Sequence, residues 1–167
     1  MRSTSIDVRE ATPHDLPALE SAWPTRGVHA SHMVAVERGD ASFLVAFDGA
    51  TPVGAGLVRW VGPTGEQARI NYPHAVEIAH LQVRAEYRRR GTATALLHAA
   101  EVLVRSRGHS TIAVGVADDN TSAARLYWRL GFERTGIIDR SEYEWFDDDG
   151  NSHHAIEYDE LLVRELA

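Results

Sequence analysis

The stretch Tyr87-Arg88-Arg89-Arg90-Gly91-Thr92-Ala93-Thr94-Ala95-Leu96-Leu97 sets three arginines against a glycine, a run of small residues and the start of an apolar pattern. Leu96, Leu97, Ala100, Leu103 and Val104 continue that pattern at helical spacing, and Gly108 falls where a helix ends in the left-handed C′ conformation. On its other side, Val76 to Val83 reads as a strand. The arginines therefore join a strand to the mouth of a helix. There the first backbone N–H groups lack partners within the helix and the positive end of the helix dipole faces outward, an arrangement that seats phosphate. Gly91 and the small residues Thr92, Ala93 and Ala95 let an anion approach the backbone closely. The competing reading is a solvated arginine cluster beside an ordinary helix start.

This local positive charge contrasts with the whole chain, whose 167 residues carry a formal net charge of -7. Such a balance argues against a general nucleic-acid binder and favours a cationic partner. With 44% hydrophobic residues, the chain is expected to form one domain over residues 1–167. It has no cysteine, which excludes disulfides, thiolate zinc sites and a cysteine nucleophile and is compatible with a reducing cytoplasm. The segment Met1-Arg2-Ser3-Thr4-Ser5-Ile6-Asp7 lacks the apolar core of a signal peptide, and no segment has the length of a membrane span. A soluble, cytoplasmic protein with no membrane or nucleic-acid partner is expected.

Outward from the central stretch, Ile6 to Arg9 reads as a strand and Thr12-Pro13 as a helix start, followed by a short helix over Val28 to Glu37. Ser42 to Phe47 and Pro52 to Trp60 flank Asp48-Gly49 and should pair as a hairpin. Gly62 to His74 reads as a polar loop, and Thr111 to Ala117 as a buried strand. A helix opened by Asp118-Asp119-Asn120 and closed at Gly131 follows. Phe132 to Phe146 and Ala155 to Leu166 are two long strands joined at Asp147-Asp148-Asp149-Gly150-Asn151. The fold class is α/β: a mixed, mostly antiparallel twisted sheet of about seven strands flanked by about four helices, split near Val83.

The helix after Asn120 carries two faces. At about 100° per residue, Asn120, Ala124 and Tyr127 share one face while Ala123, Leu126 and Leu130 form a neighbouring apolar stripe. Taken alone, Asn120 reads as an N-cap and Tyr127 as a core or rim aromatic. Against a P-loop, no lysine follows Gly91, and two of the three glycines of a dinucleotide fingerprint are missing.

Together, Tyr87 to Leu97 and Asn120-x-x-Ala123-x-x-Leu126-Tyr127-x-x-x-Gly131-Phe132 resemble the cofactor site of the GCN5-related N-acetyltransferase (GNAT) family. Arg88, Gly91 and Ala93 match the family's Arg/Gln-x-x-Gly-x-Gly/Ala loop, with alanine in place of the commoner glycine. The resemblance implies that backbone amides around Arg89, Arg90, Gly91, Thr92, Ala93 and Thr94 hold the pyrophosphate of acetyl-CoA. It implies that Leu81 and Val83 lie along the pantetheine arm, that Asn120 bonds this arm, and that Tyr127 sits near the sulfur as a proton donor. A backbone N–H in or near Val83 is the implied oxyanion donor.

Direct acetyl transfer to a primary amine also needs a proton acceptor. In an alternating strand Glu77 shares a row with Ala79, Leu81 and Val83, while His80 points to the opposite face and reads as structural. Glu77 is either a rim salt-bridge residue or the general base, a position the family uses for its base; burial on the apolar row would raise its pKa. The pairs His29/His32 and His153/His154 lack further ligands at matching spacing, so no metal is expected. Trp23, Trp60 and Tyr72 belong either to the core or to an acceptor pocket. The function expected is N-acetyl transfer from acetyl-CoA to an amine of a small molecule or protein; the alternative is a catalytically silent acyl-CoA sensor. A homodimer is compatible with the sequence.

Overall fold

The computed structural model describes residues 5–166. The first strand, β1 (Ile6–Glu10), leads through a 3-10 turn at Pro13–Asp15 into α1 (Leu16–Ala22) and α2 (Val28–Glu37). Next come β2 (Ala41–Asp48), β3 (Thr51–Arg59), α3 (Glu66–Asn71) and β4 (Val76–Val83). After a second 3-10 turn at Ala85–Tyr87 follow α4 (Thr92–Ser106), β5 (Thr111–Ala117), α5 (Thr121–Arg129), β6 (Glu133–Phe146) and β7 (Ser152–Glu165). The seven strands form one sheet in the order β1-β2-β3-β4-β5-β7-β6. Every adjacent pair is antiparallel except β4–β5, which is parallel. No helix among the described residues is long and apolar enough to cross a membrane.

Each face of the sheet is covered by different helices. On one, Leu96, Leu97, Ala100 and Val104 of α4 and Tyr127 of α5 pack with Val58, Ile78, Val114 and Leu162. This is the stripe expected of an amphipathic helix laid on a sheet. On the other, Leu19 and Met33 of α1 and α2 cover Phe43, Val45, Ala55 and Leu57. Ala68 of α3 packs there with Ala75, Ala113 and Leu161.

Five α-helices flank the sheet, one more than expected, because α3 lies inside the segment read as a polar loop. Its six residues are too few to be stable alone. Asp139 of β6 supplies what is missing: its carboxylate accepts from Gln67 N at 2.8 Å and Ala68 N at 3.0 Å. A Cβ at Gly65 would collide with that carboxylate, so glycine there admits the cap. Asp139→Ala is expected to lower stability by about 1 kcal/mol in urea unfolding, with the m-value unchanged.

Two irregularities in β4 set the geometry of the centre. Leu57 pairs with Ala79 and Ala55 with Gln82, so His80 and Leu81 together oppose the single residue Gly56. This bulge, with His80 at φ 53, breaks the simple alternation. Beyond it Leu81 lies toward Ile78 and the α4 side, and Gln82, opposite Ala55, takes the side of Glu77. The row Glu77, Ala79, Leu81, Val83 expected from strict alternation therefore ends at Ala79. The second irregularity is the split. Strands β4 and β5 pair only at Val76–Ile112 and Glu77–Ala113, so they part directly after Glu77, well before Val83.

Candidate active site

The loop into α4 has the backbone shape that its sequence implies. Arg89 (φ 64) and Gly91 (φ 78) are both left-handed, and Gly91 is the N-cap of the 15-residue α4. Left-handed residues set among right-handed and extended ones turn successive N–H groups toward one concavity, which suits an anion. A Cβ placed on Gly91 meets nothing within 4 Å, so the concavity is open. The three arginines have different positions. Arg88 Nε donates to Val83 O at 3.2 Å, tying the loop to the end of β4. Arg90 lies over the Tyr87 ring at 5.6 Å, and Arg89 is exposed. Thr92 is buried with its Oγ1 unpartnered among the described residues, and Ala93 and Thr94 are half-buried.

Helix α5 brings Asn120 and Tyr127 toward the same side of the sheet. Asn120 Oδ1 accepts from Ala123 N at 3.2 Å, so the N-cap role is real. Tyr127 is 6% exposed, edge-on to Phe132 at 5.5 Å, and burial pushes its phenol up to about 12. Tyr127 and the partly buried Leu81 belong to the core cluster on the α4/α5 face, and Val83 lies at the end of β4. This fits a CoA thioester: anion at the helix mouth, amide arm along parted strands, sulfur near a buried donor. A cavity of about 740 Å³ runs along the flank of α5, lined by Asn120, Ala124, Trp128, Ile138 and Tyr158 but not by Tyr127.

Glu77 sits on the opposite face, where its surroundings are polar rather than the apolar row expected. Thr64 donates to it from Oγ1 at 2.7 Å and from its backbone N at 3.2 Å, and Arg59 Nε lies 3.7 Å away. The bulge also turns the His80 ring onto this face, against His32 of α2 at 5.0 Å between centroids, which corrects its expected placement on the other side. His80 is held below the usual histidine range by burial, then by the charge of Arg59. Burial, with His80 and His29 as neighbours, lowers His32 to about 4.

A cavity of about 220 Å³ opens beside these rings, lined by Trp23, His29, His32, Phe43, His80 and Gln82. Of the three aromatics singled out, only Trp23 reaches it. Trp60 instead donates to Ser42 Oγ and stacks on Arg107, and Tyr72 packs under α3. Arg26, between α1 and α2, donates to Asp147 O and Asp148 O of the β6–β7 turn at 3.1 and 3.4 Å. The segment between α1 and α2 is thereby joined to the β6–β7 turn. His153 and His154 pair with Asp147 and Glu142, and no metal-holding group occurs among the described residues.

Residues 8–132 match the acetyltransferase (GNAT) family. The chain belongs to this family. The GNAT segment includes both the arginine-glycine loop and α5. Human N-acetyltransferase 8 is 34% identical over 61 residues, which is 36% of this chain and 27% of that protein, so the match spans about a quarter of its length. An IAA acetyltransferase from Bacillus cereus has the same fold, with a TM-score of 0.67 at 20% identity over 97% of this chain and 100% of that one. A GNAT acetyltransferase from Elizabethkingia anophelis with acetyl-CoA bound gives a TM-score of 0.62 at 17% identity, over 99% and 100% of the two chains.

Proposed function

We propose that this protein transfers an acetyl group from acetyl-CoA directly to a primary amine of a small molecule or protein. The observation that carries the reading is the split after Glu77 and Ala113, with the phosphate-seating loop, Asn120 and Tyr127 on one face and Glu77 with the aromatic-lined cavity on the other. Donor and acceptor then meet in the gap between β4 and β5.

Backbone N–H groups from Arg88 to Thr94 hold the pyrophosphate, and Leu81 and Val83 flank the pantetheine arm as a neighbouring strand would. At the bulge His80 and Leu81 share the single facing residue Gly56, and a backbone N–H there or near Val83 is the donor that would receive the developing oxyanion. The amine nitrogen attacks the thioester carbon; a C–N bond forms, the C–S bond breaks, and CoA leaves as a thiolate facing Tyr127. The negative charge of Glu77 draws the ammonium form of the acceptor into the gap and favours loss of its proton there.

Acetyl-CoA supplied with a panel of primary amines (an alkylamine, an arylalkylamine, an amino sugar and a peptide with a free N-terminus) should release CoA thiol in step with amide formed. Tight CoA binding with no thiol release from any amine would instead identify a silent acyl-CoA-binding domain.

A further inference from the structure

We infer that Asp159 is a catalytic carboxylate of this site, taking the proton directly from the ammonium form of the acceptor on the face of the split opposite Tyr127. The inference rests on the acetyl-transfer reading above and names the group that makes the amine nucleophilic.

The placement follows from strand register. Glu77 pairs with Ala113, and Ala113 shares the α3 face with Leu161 of β7. Along β7, Asp159 lies two residues from Leu161 and so occupies the same face, opposite Ala117 of β5 and Asp139 of β6. Between Ala113 and Ala117 this face of β5 carries only Gly115, and a Cβ there would lie 3.8 Å from the Cβ of Asp159. The split therefore opens, on its acceptor side, onto a floor without a side chain that Asp159 overlooks. Glu77 stands across the gap on β4.

The two carboxylates are held differently. The oxygens of Glu77 are engaged by Thr64 and approached by Arg59. No hydrogen bond or ion pair engages Asp159 among the described residues, and partial burial pushes it up to about 6. Facing charges act in the same direction: Glu157 on its own strand, Glu77 on β4, and Asp118 and Asp119 before α5. Asp139 faces it from β6, and Arg59 is turned to Glu77. A free carboxylate whose proton affinity approaches neutrality is better matched to an amine than one pinned by donors.

The step balances without any co-reactant. Asp159 takes one proton from R–NH3+, the free amine attacks the thioester carbon, the C–S bond breaks and CoA leaves as a thiolate under the Tyr127 hydroxyl, the nitrogen gives up its second proton to water as the amide forms, and Asp159 returns its proton to solvent.

The test compares kcat/KM from pH 5 to 9 for wild type, Asp159→Asn and Glu77→Gln, using two amines of different basicity from the panel. Wild type should show an acidic limb near pH 6 that stays in place when the amine is changed. Asp159→Asn should lower kcat/KM about 100-fold and erase that limb. Glu77→Gln removes a neighbouring negative charge, so it should keep the limb and move it to lower pH. The reverse pattern, with the limb erased by Glu77→Gln and merely moved by Asp159→Asn, overturns the proposal, as does an unchanged Asp159→Asn profile.

Integrity of the variant is read from CoA affinity and melting. Folded Asp159 holds its proton more tightly than the unfolded chain, with a pKa of about 6 against 3.8. The stability this gives is present below about pH 4 and lost as pH rises through about 6. Asp159→Asn should therefore melt higher than wild type at pH 8, and this advantage should disappear toward pH 4. If the asparagine variant does not melt cooperatively, Asp159→Ala replaces it with the same expected profile. A wild type inert toward every amine removes the transfer reading and this role together, whereas an active wild type with an unaltered Asp159→Asn profile removes this role alone.

Discussion

Gly91→Trp is expected to weaken CoA binding at least about 100-fold while leaving a folded protein, a difference of about 2.7 kcal/mol in binding free energy. Gly91 has φ 78, so any side chain there adopts a left-handed backbone at a cost of about 1–2 kcal/mol. That strain falls on stability and is shared by every substitution. What distinguishes tryptophan is size: a Cβ at Gly91 touches nothing within 4 Å, so the side chain starts in open space at the N-cap of α4, beside the proposed phosphate concavity, where an indole takes far more room than a methyl group. If phosphate oxygens occupy that concavity, the indole excludes them. Gly91→Ala carries the same strain with a methyl group only, and should lose no more than a few fold in affinity. Calorimetric titration of CoA into both variants, with thermal melting alongside, separates the effects. Equal affinities for wild type and Gly91→Trp would move the pyrophosphate off this loop, and equal losses in both variants would assign the defect to backbone strain.

The parts of this molecule that were readable in the sequence are those built from local patterns. Strands Val76–Val83 and Thr111–Ala117 have their expected bounds because each is an apolar-rich run between turn signals, the first interrupted by Glu77, His80 and Gln82. Helices α4 and α5 begin where Gly91 and Asn120 place their caps. The arginine-glycine loop and the capped start of α5 were legible for the same reason, since each lies on one short segment.

The acceptor side was not, because it is made of contacts between distant segments. Helix α3 depends on Asp139, more than seventy residues away, and nothing in Glu66 to Asn71 announces that partner. The environment of Glu77 depends on Thr64, which reads only as part of a polar loop. The bulge that turns His80 over has no proline or glycine on its own strand. Its one local trace is Gly54-Ala55-Gly56 on the facing strand, where glycine in a strand interior marks close approach. Asp159 sat in an alternating run next to Glu157 and Glu160, and its difference from them arises only when β7 is placed beside Gly115.

Tyr127→Phe is expected to lower kcat and kcat/KM together by about 100-fold, with CoA affinity nearly unchanged. The ring itself is part of the core, 6% exposed and edge-on to Phe132, and phenylalanine preserves that packing. The variant therefore removes one hydroxyl and leaves the helix in place. Burial raises the phenol to about 12, and this decides what the hydroxyl does. An ordinary thiol has a pKa of about 8.5, so complete proton transfer from this phenol to a departing thiolate would run uphill. A hydrogen bond donated to the sulfur as negative charge develops has no such penalty, and a bond to a charged group in a dry site is worth about 1.5–3 kcal/mol. That range brackets the expected loss in rate. The acceptor charge exists only as the C–S bond breaks, which is why the effect falls on kcat and spares CoA binding. Because the phenol keeps its proton at every pH below about 12, the loss should be the same at pH 6 and pH 9, and the shape of the pH profile should not change. A variant whose defect grew with rising pH would instead point to a phenol that ionises in the working range, and wild-type turnover would leave Tyr127 with packing alone.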